Sequence, residues 1–388
     1  MYVIDREKLI GIRRELHMNP ELGGSEYKTM DIICSYLDSW GIEYKKGVAE
    51  TGVVAIVRGK SRRENPLCIG IRADIDALPI KEETDVEFKS RNEGRMHACG
   101  HDAHTAVALG TAKIIKSMED VLRGDVKFFF QPAEETKGGA ERMIKEGCLR
   151  NPEVEYVLGL HVDPGLEAGK IGVKYGKMMA SSDELSIVVR GKSTHGAKPD
   201  NGIDPIVIAS NIVVALQSVV SRNISPLNSA VLTMGSIHGG TGGNIIPDEV
   251  IITGILRTLD DETRSFMQER IAGIVESVSR ALGGEGALHI RESYGALINT
   301  DEVVTKVRET AERMLGKDNV LIREFPDMGT EDFSYFSRNA KACFFNLGCG
   351  NKENGMVYPL HSSRFMLDES CLETGVRLQV ENILTMLG

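Results

Sequence analysis

The stretch Leu67-Cys68-Ile69-Gly70-Ile71-Arg72-Ala73-Asp74-Ile75-Asp76 decides the fold. Its first half is a short apolar run of strand length, and carboxylates follow at once. A strand that reads as continuously apolar, rather than alternating, is one covered on both faces, as in the middle of a parallel sheet. The same pattern recurs on either side. Gly52 to Arg58 is a second buried run; Val126 to Phe130 leads into Gln131-Pro132-Ala133-Glu134-Glu135; Tyr156 to Leu160 leads into His161. Helical periodicity covers Arg6 to Met18, Glu26 to Trp40 and Thr105 to Met118. Strands and helices alternating in this way predict an α/β layered domain with a mixed, largely parallel sheet. Ligands bind outside the carboxyl ends of the strands in such sheets, so the polar residues that follow each run are expected to converge on one crevice.

From Asp183 to Glu292 the pattern changes to strand (Glu184 to Arg190), helix (Pro205 to Ser221), strand (Ala230 to Ile237), strand (Glu249 to Thr258), helix (Asp261 to Leu282), strand (Leu288 to Arg291). That order is the βαββαβ of an α+β ferredoxin-like module. After Tyr294, a helix (Thr300 to Leu315), an apolar run (Ala342 to Leu347) and a last helix (Glu369 to Leu387) return to the first pattern. The expected plan is therefore one α/β domain from 1–180 and 294–388, with residues 181–293 inserted as a second domain. A chain of 388 residues is long enough for two cores.

Composition narrows the possible partners. The net charge of −10 disfavours nucleic acid, and no run approaches the roughly 20 apolar residues of a membrane span. Charges at Asp5, Arg6, Glu7, Lys8, Arg13 and Arg14 interrupt any export signal, and the 7 scattered cysteines suit a reducing compartment, so a cytoplasmic location is expected.

The densest cluster is Met96-His97-Ala98-Cys99-Gly100-His101-Asp102-Ala103-His104, just ahead of the helix predicted from Thr105. Taken singly, Cys99 is a small core hydrophobe and Asp102 a helix cap. Together these side chains resemble a metal site, since imidazole and thiolate suit zinc-like ions and carboxylate joins them for manganese or cobalt. Glu134 and Glu135 follow Phe128-Phe129-Phe130 and a proline, at the mouth of a buried strand. Neighbours pointing in different directions there can divide labour between metal ligand and general base.

The strings RADIDALP (72–79), MHACGHDAHTA (96–106), QPAEET (131–136), GLHVDP (159–164), GKSTHGAKPD (191–200), GGNIIPD (242–248), MGTEDFSYF (328–336) and YPLHSS (358–363) span nearly the whole chain. In this order they resemble the aminoacylase, hippurate hydrolase and auxin-conjugate hydrolase group of metal-dependent amidohydrolases, which have a metallopeptidase-type fold. The resemblance implies two divalent metal ions (manganese, zinc, cobalt or nickel) held by Cys99, His101, Glu135, His161 and His361, with Cys99 as the bridge. It implies Glu134 as the base to a metal-activated water and Asp76 as a supporting carboxylate. Asp74, Asp102, His97 and His104 are left as supporting or structural residues.

In the inserted module, which the resemblance makes a lid and dimerisation domain, His195 would stabilise the oxyanion, commonly from the partner subunit of a homodimer. Asn244 and Arg257 would bind substrate. Without the resemblance, His195 is an ordinary surface histidine and Arg257 a solvated strand end. The expected reaction cleaves the amide of an N-acyl amino acid to a free amino acid and a carboxylic acid. Competing expectations are a dipeptidase or carboxypeptidase with the same centre, a thiol hydrolase using Cys99 with His101 or His104, and a non-catalytic amino-acid or metal binder.

Overall fold

The computed structural model describes residues 2–62, 64 and 66–388. The main sheet runs in the order Glu43–Val48, Gly52–Arg58, Asp125–Gln131, Cys68–Asp74, Tyr156–Glu167, Lys341–Gly350, Ile171–Val173, Val320–Ile322. Its centre is parallel: Cys68–Asp74 pairs with Asp125–Gln131 and Tyr156–Glu167, and Tyr156–Glu167 pairs with Lys341–Gly350. Gly52–Arg58 and Glu43–Val48 extend one side antiparallel, which makes the sheet mixed, as expected. Cys68–Asp74 and Asp125–Gln131 are buried at every position, the physical reason for their mostly apolar runs, which only Arg72 and Lys127 interrupt before the strand ends.

The helix expected from Thr105 spans His101–Ser117, and Gly100, with φ +83°, begins it. The metal-type cluster therefore lies partly in the helix's first turn, and Asp102 sits inside the helix rather than capping it. Several elements had no signal strong enough to predict, among them Glu43–Val48, Gly139–Lys145, Ile171–Val173, Val320–Ile322 and Ser334–Asn339. Glu43–Val48 is an edge strand that is mostly exposed and carries Glu43, Lys45 and Lys46, so it lacks an apolar stripe.

By compactness the chain forms two units, residues 1–176, 298–325 and 332–388 in the first, and 177–297 with 326–331 in the second. The segment 326–331 thus goes with the second unit, whereas the sequence reading left it in the first. The second unit carries a sheet in the order Ala230–Gly239, Glu249–Thr258, Asp183–Arg190, Glu285–Glu292, antiparallel throughout. With helices Pro205–Ser218 and Asp261–Ala281 it follows the βαββαβ order. The helices cover one face, where Ile187, Val189 and Ile252 pack with Ile208, Ile212, Leu216, Ile271 and Val275. Pro205–Asn223 is long and apolar enough by composition to cross a membrane. Only part of that apolarity goes into this packing, since Ile206, Val207 and Val214 are exposed.

A buried polar network ties the first helix, Arg6–His17, to His101–Ser117. His17 Nδ1 lies 2.7 Å from Asp102 Oδ2 and its Nε2 3.2 Å from Glu82 Oε1, while Arg13 Nε lies 2.8 Å from Asp102. Burial and Arg13 oppose a charged His17, but Asp102 and Glu82 outweigh them and raise its pKa above the ordinary 6.5. Burial likewise opposes a charged Glu82. Hydrogen bonds from His17, Thr84 and the Ser90 amide overcome it and lower its pKa below the ordinary 4.5.

Glu82 therefore stabilises the fold above 4.5, and its contribution is lost as pH falls through its lower folded value. His17 contributes below 6.5 and loses its contribution as pH rises through its higher folded value. Glu82→Gln is expected to cost about 1.5–3 kcal/mol near neutrality. The gap in melting temperature from wild type should narrow in acid and in alkali, as measured by thermal melts across pH; a gap that does not change with pH would count against a charged pair.

Candidate metal centre

The first-unit residues expected to act together do meet. Cys99 and His101 close the turn into the His101–Ser117 helix, His161 follows the buried part of Tyr156–Glu167, and Glu134 and Glu135 follow Asp125–Gln131. Ligand atoms of Cys99, His101 and His161 lie within 4.8 Å of one another, as do those of Cys99, Glu135 and His361, and those of His101, Glu134 and Glu135. Cys99 belongs to two of these groups. His361 arrives from the loop before the last helix, and its amide donates to the Ala98 carbonyl at 2.9 Å, which ties that loop to the Cys99 turn.

Hydrogen bonds settle which ring nitrogens are free. His101 Nδ1 donates to the Asp76 carbonyl at 2.9 Å, and His161 Nδ1 donates to the Val162 carbonyl at 2.8 Å. A carbonyl oxygen can only accept, so both protons sit on Nδ1 and both Nε2 lone pairs face inward. His161 Nε2 is 3.4 Å from Cys99 Sγ. His101 Nε2 and Glu135 Oε1 are buried without a hydrogen-bond partner, although His361 Nε2 approaches Glu135 Oε1 to 3.2 Å. Buried polar atoms are costly when unpaired, so inward lone pairs on imidazole, carboxylate and sulfur fit cations bound among them.

The electrostatics agree. Cys99 and then Glu135 raise the His361 pKa to about 10, although burial opposes the shift. Burial would lower His101, but Asp74, Asp76 and Cys99 push it well above the usual imidazole range. Both shifts report a concentration of negative charge where cations would sit.

Asp76 supports two of these residues. Its Oδ2 accepts the Glu135 amide at 3.0 Å, and its Oδ1 lies 3.3 Å from His101 Nδ1. Ala133, just before Glu134, has φ +57°, and His361 has φ +63°. Left-handed backbone at residues other than glycine costs on the order of 1–3 kcal/mol each and tends to mark functional sites. The Ala133 amide is held by Glu26 Oε1 at 2.8 Å, and Glu26 Oε2 in turn accepts from Thr51.

In the second unit, Thr194–His195 pairs with Ile245–Ile246, and the Gly196 amide donates to the Asn244 carbonyl at 2.7 Å, so His195 and Asn244 are neighbours. The Ala197 amide donates to His195 Nδ1 at 3.0 Å, which leaves the proton on an exposed Nε2. Arg257 is not with them. The Gly191 amide donates to the Asp248 carbonyl, which places the His195 turn at the Glu249 end of Glu249–Thr258. Arg257 stands eight residues along that strand, about 26 Å away at roughly 3.3 Å per residue. Burial lowers its pKa, with Asp183 opposing, and its Nη1 has no hydrogen-bond partner.

The model of peptidase family M20/M25/M40 matches residues 70–385. The chain belongs to that family. An M20-type chain of this kind is a hydrolase acting on carbon–nitrogen bonds. It is 39% identical over 366 residues to the N-acetyl-L-cysteine deacetylase of Bacillus subtilis, covering 94% of this chain and 85% of that protein. It is 38% identical to thermostable carboxypeptidase 2 of Saccharolobus solfataricus, covering 95% and 92%. Among solved structures, the Bacillus subtilis YXEP protein, described as a dinuclear metal binding peptidase from the M20 family, superimposes with a TM-score of 0.85. It shares 33% identity and covers 98% of each chain.

Sequence reasoning missed Glu26, which resembles any acidic residue at a helix start, and gave no role to Arg72, Gln131 or Asp332. Arg72 looks like a charge at the end of a strand, yet it is wholly buried.

Gly139 carries a consequence for this M20 site. A Cβ there would stand 1.8 Å from the Pro132 carbonyl oxygen, so Gly139→Ala must move the backbone that carries Glu134 and Glu135. A displacement of that order is expected to lower kcat about 100-fold while leaving the circular dichroism unchanged. Near-normal kcat would show that the loop can shift without harm.

Proposed function

We propose that the chain is a metal-dependent amidohydrolase that cleaves N-acyl amino acids to a free amino acid and a carboxylic acid. The observation that carries this reading is the acidic Glu134 beside a set of inward-facing donors: Cys99 Sγ, His101 Nε2, Glu135, His161 Nε2 and His361. Those five residues would hold two divalent cations, of manganese, zinc, cobalt or nickel, with Cys99 shared. Bound cations of this kind polarise an acyl carbonyl and make water acidic near neutral pH.

Glu134 accepts a proton from the attacking water and later delivers it to the departing amine nitrogen. Asp76 keeps His101 and Glu135 in place. His195 presents its Nε2–H to the acyl oxygen as negative charge develops there, and Asn244 and Arg257 engage the rest of the substrate, the guanidinium taking the carboxylate.

We also propose a homodimer built on the second unit. Ile206, Val207 and Val214 are exposed on the Pro205–Ser218 helix, and Ala230–Gly239 is an edge strand, a surface that a second copy would cover. The separation of His195 from Arg257 supports a composite site, with His195 of one subunit serving the Glu134 of its partner. The buried free cysteines fit a cytoplasmic location.

Amine release from N-acetyl and N-benzoyl amino acids, measured against dipeptides with each added metal, tests the substrate class. Faster dipeptide cleavage would favour a carboxypeptidase or dipeptidase, a reading supported by the Saccharolobus relative. The Cys99–His161 contact invites a thiol-hydrolase reading, and activity that survives a chelator would favour it. Tight amino-acid binding without turnover in any metal would mean a binding protein. Glu134→Ala is expected to lower kcat by about 100- to 10,000-fold, and near-normal turnover would end its assignment as base.

His195→Ala is expected to cost about 100- to 1000-fold. When the two inactive variants are mixed and allowed to exchange subunits, about a quarter of wild-type activity should return, since one site in each mixed dimer regains both groups. If His195 serves its own subunit, no activity returns.

A further inference from the structure

His104 takes no part in the proposed reaction, yet it is the most completely engaged imidazole beneath the site. Its Nδ1 lies 2.6 Å from Asp74 Oδ1, and its Nε2 accepts the Val162 amide at 2.9 Å. Because an amide N–H can only donate, the His104 proton is on Nδ1 and points at Asp74. The residue held in this way, Val162, also supplies through its own carbonyl the acceptor for His161 Nδ1, one peptide unit further along the strand. In addition, the His104 ring packs edge-on against His161, with centroids 4.5 Å apart and planes at 68°.

Asp74 is itself fixed. Its Oδ2 accepts from Arg72 Nη1 at 2.7 Å, and Arg72 continues to Gln131 Oε1 and Asp332 Oδ1, each at 2.7 Å. Asp74 shares a potential metal-binding group with His101 and His104. Both of its oxygens are already committed to His104 and Arg72, however, and His101 Nε2 stays 3.6 Å away. The arrangement is a chain that ends on His161, not a further cation site.

We propose that His104 is the positioning residue that sets the angle and tautomer of His161 toward the metal centre, with Asp74 and Arg72 orienting it from behind. This deepens the reading given above and rests on it. Supporting hydrogen bonds of this type typically govern metal affinity by about 10- to 100-fold.

The test reads cobalt(II) binding by the thiolate charge-transfer and ligand-field bands of the full chain stripped of metal, so that turnover is not needed. His104→Leu keeps the bulk but loses both hydrogen bonds. It is expected to bind cobalt about 10- to 100-fold more weakly, with altered ligand-field bands, while its circular dichroism stays native. His104→Gln can still accept from Val162 and donate to Asp74, and it should restore most of the affinity and the wild-type spectrum.

If His104→Leu does not fold, Asp74→Asn takes its place. It leaves Arg72 or His104 facing an amide N–H2 and should give the same spectral change. Wild-type affinity and bands in the folded disrupting variant overturn the proposal, and so does a His104→Gln protein as impaired as His104→Leu. A wild-type chain that shows no cobalt bands overturns the metal-dependent reading itself and this inference with it, so the two failures are told apart.

Discussion

The buried guanidinium of Arg72 is the contact on which the first unit's polar architecture depends. It sits on a central strand with no exposure and binds Asp74 on its own strand, Gln131 at the end of the neighbouring strand, and Asp332. Asp332 also accepts from Gln131 and from the Ala140 amide at the start of the next helix. One cation thus holds together the carboxyl ends of two strands and the turns that leave them. In a dry interior such a charge is tolerated only when every donor is satisfied, and losing one partner would strand the others. Packing alone would leave the ends of these strands free to shift. The ion network fixes where Asp76, Glu134 and Glu135 begin.

With that frame fixed, the site can hold what a folded chain ordinarily avoids. Unpaired ligand atoms on His101 and Glu135, left-handed backbone at Ala133 and His361, and concentrated negative charge all gather at this one site. Each is unfavourable alone. Two hydrogen bonds between distant parts of the chain, from the Ala133 amide to Glu26 and from the His361 amide to the Ala98 carbonyl, hold the strained segments in place. Stability is given up at the point where bound cations would return it.

The second unit is simpler in composition and more telling in layout. Its sheet is covered by helices on one face, and its polar candidates are split: the turn that carries His195 lies by the start of Glu249–Thr258, and Arg257 stands near that strand's other end. His195 and Asn244 are joined through a short backbone pairing, whereas Arg257 is a strand-length away. A small acyl amino acid does not span about 26 Å, so His195 and Arg257 of one chain do not meet on one such molecule.

Local pattern was enough for much of this. The buried strands were legible because a strand covered on both faces is mostly apolar rather than alternating. The βαββαβ order was legible because its strands and helices keep their own periods, and most first-unit donors were legible because they stand at a strand end or a helix start, whereas His361 lies on a loop and only its motif marked it. Glu43–Val48 escaped because an exposed edge strand needs no apolar signature. Glu26 and Arg72 escaped because their partners lie far away in sequence, and an isolated charge gives no sign of whether it will be buried. The sequence by itself determined the element types, the two-part plan and the identity of the side chains that gather. Only the tertiary structure decided which imidazole nitrogens face inward, which carboxylates are already engaged and how far apart the second unit's polar groups stand. Those properties are set by hydrogen bonds between residues distant along the chain, and no local pattern encodes them.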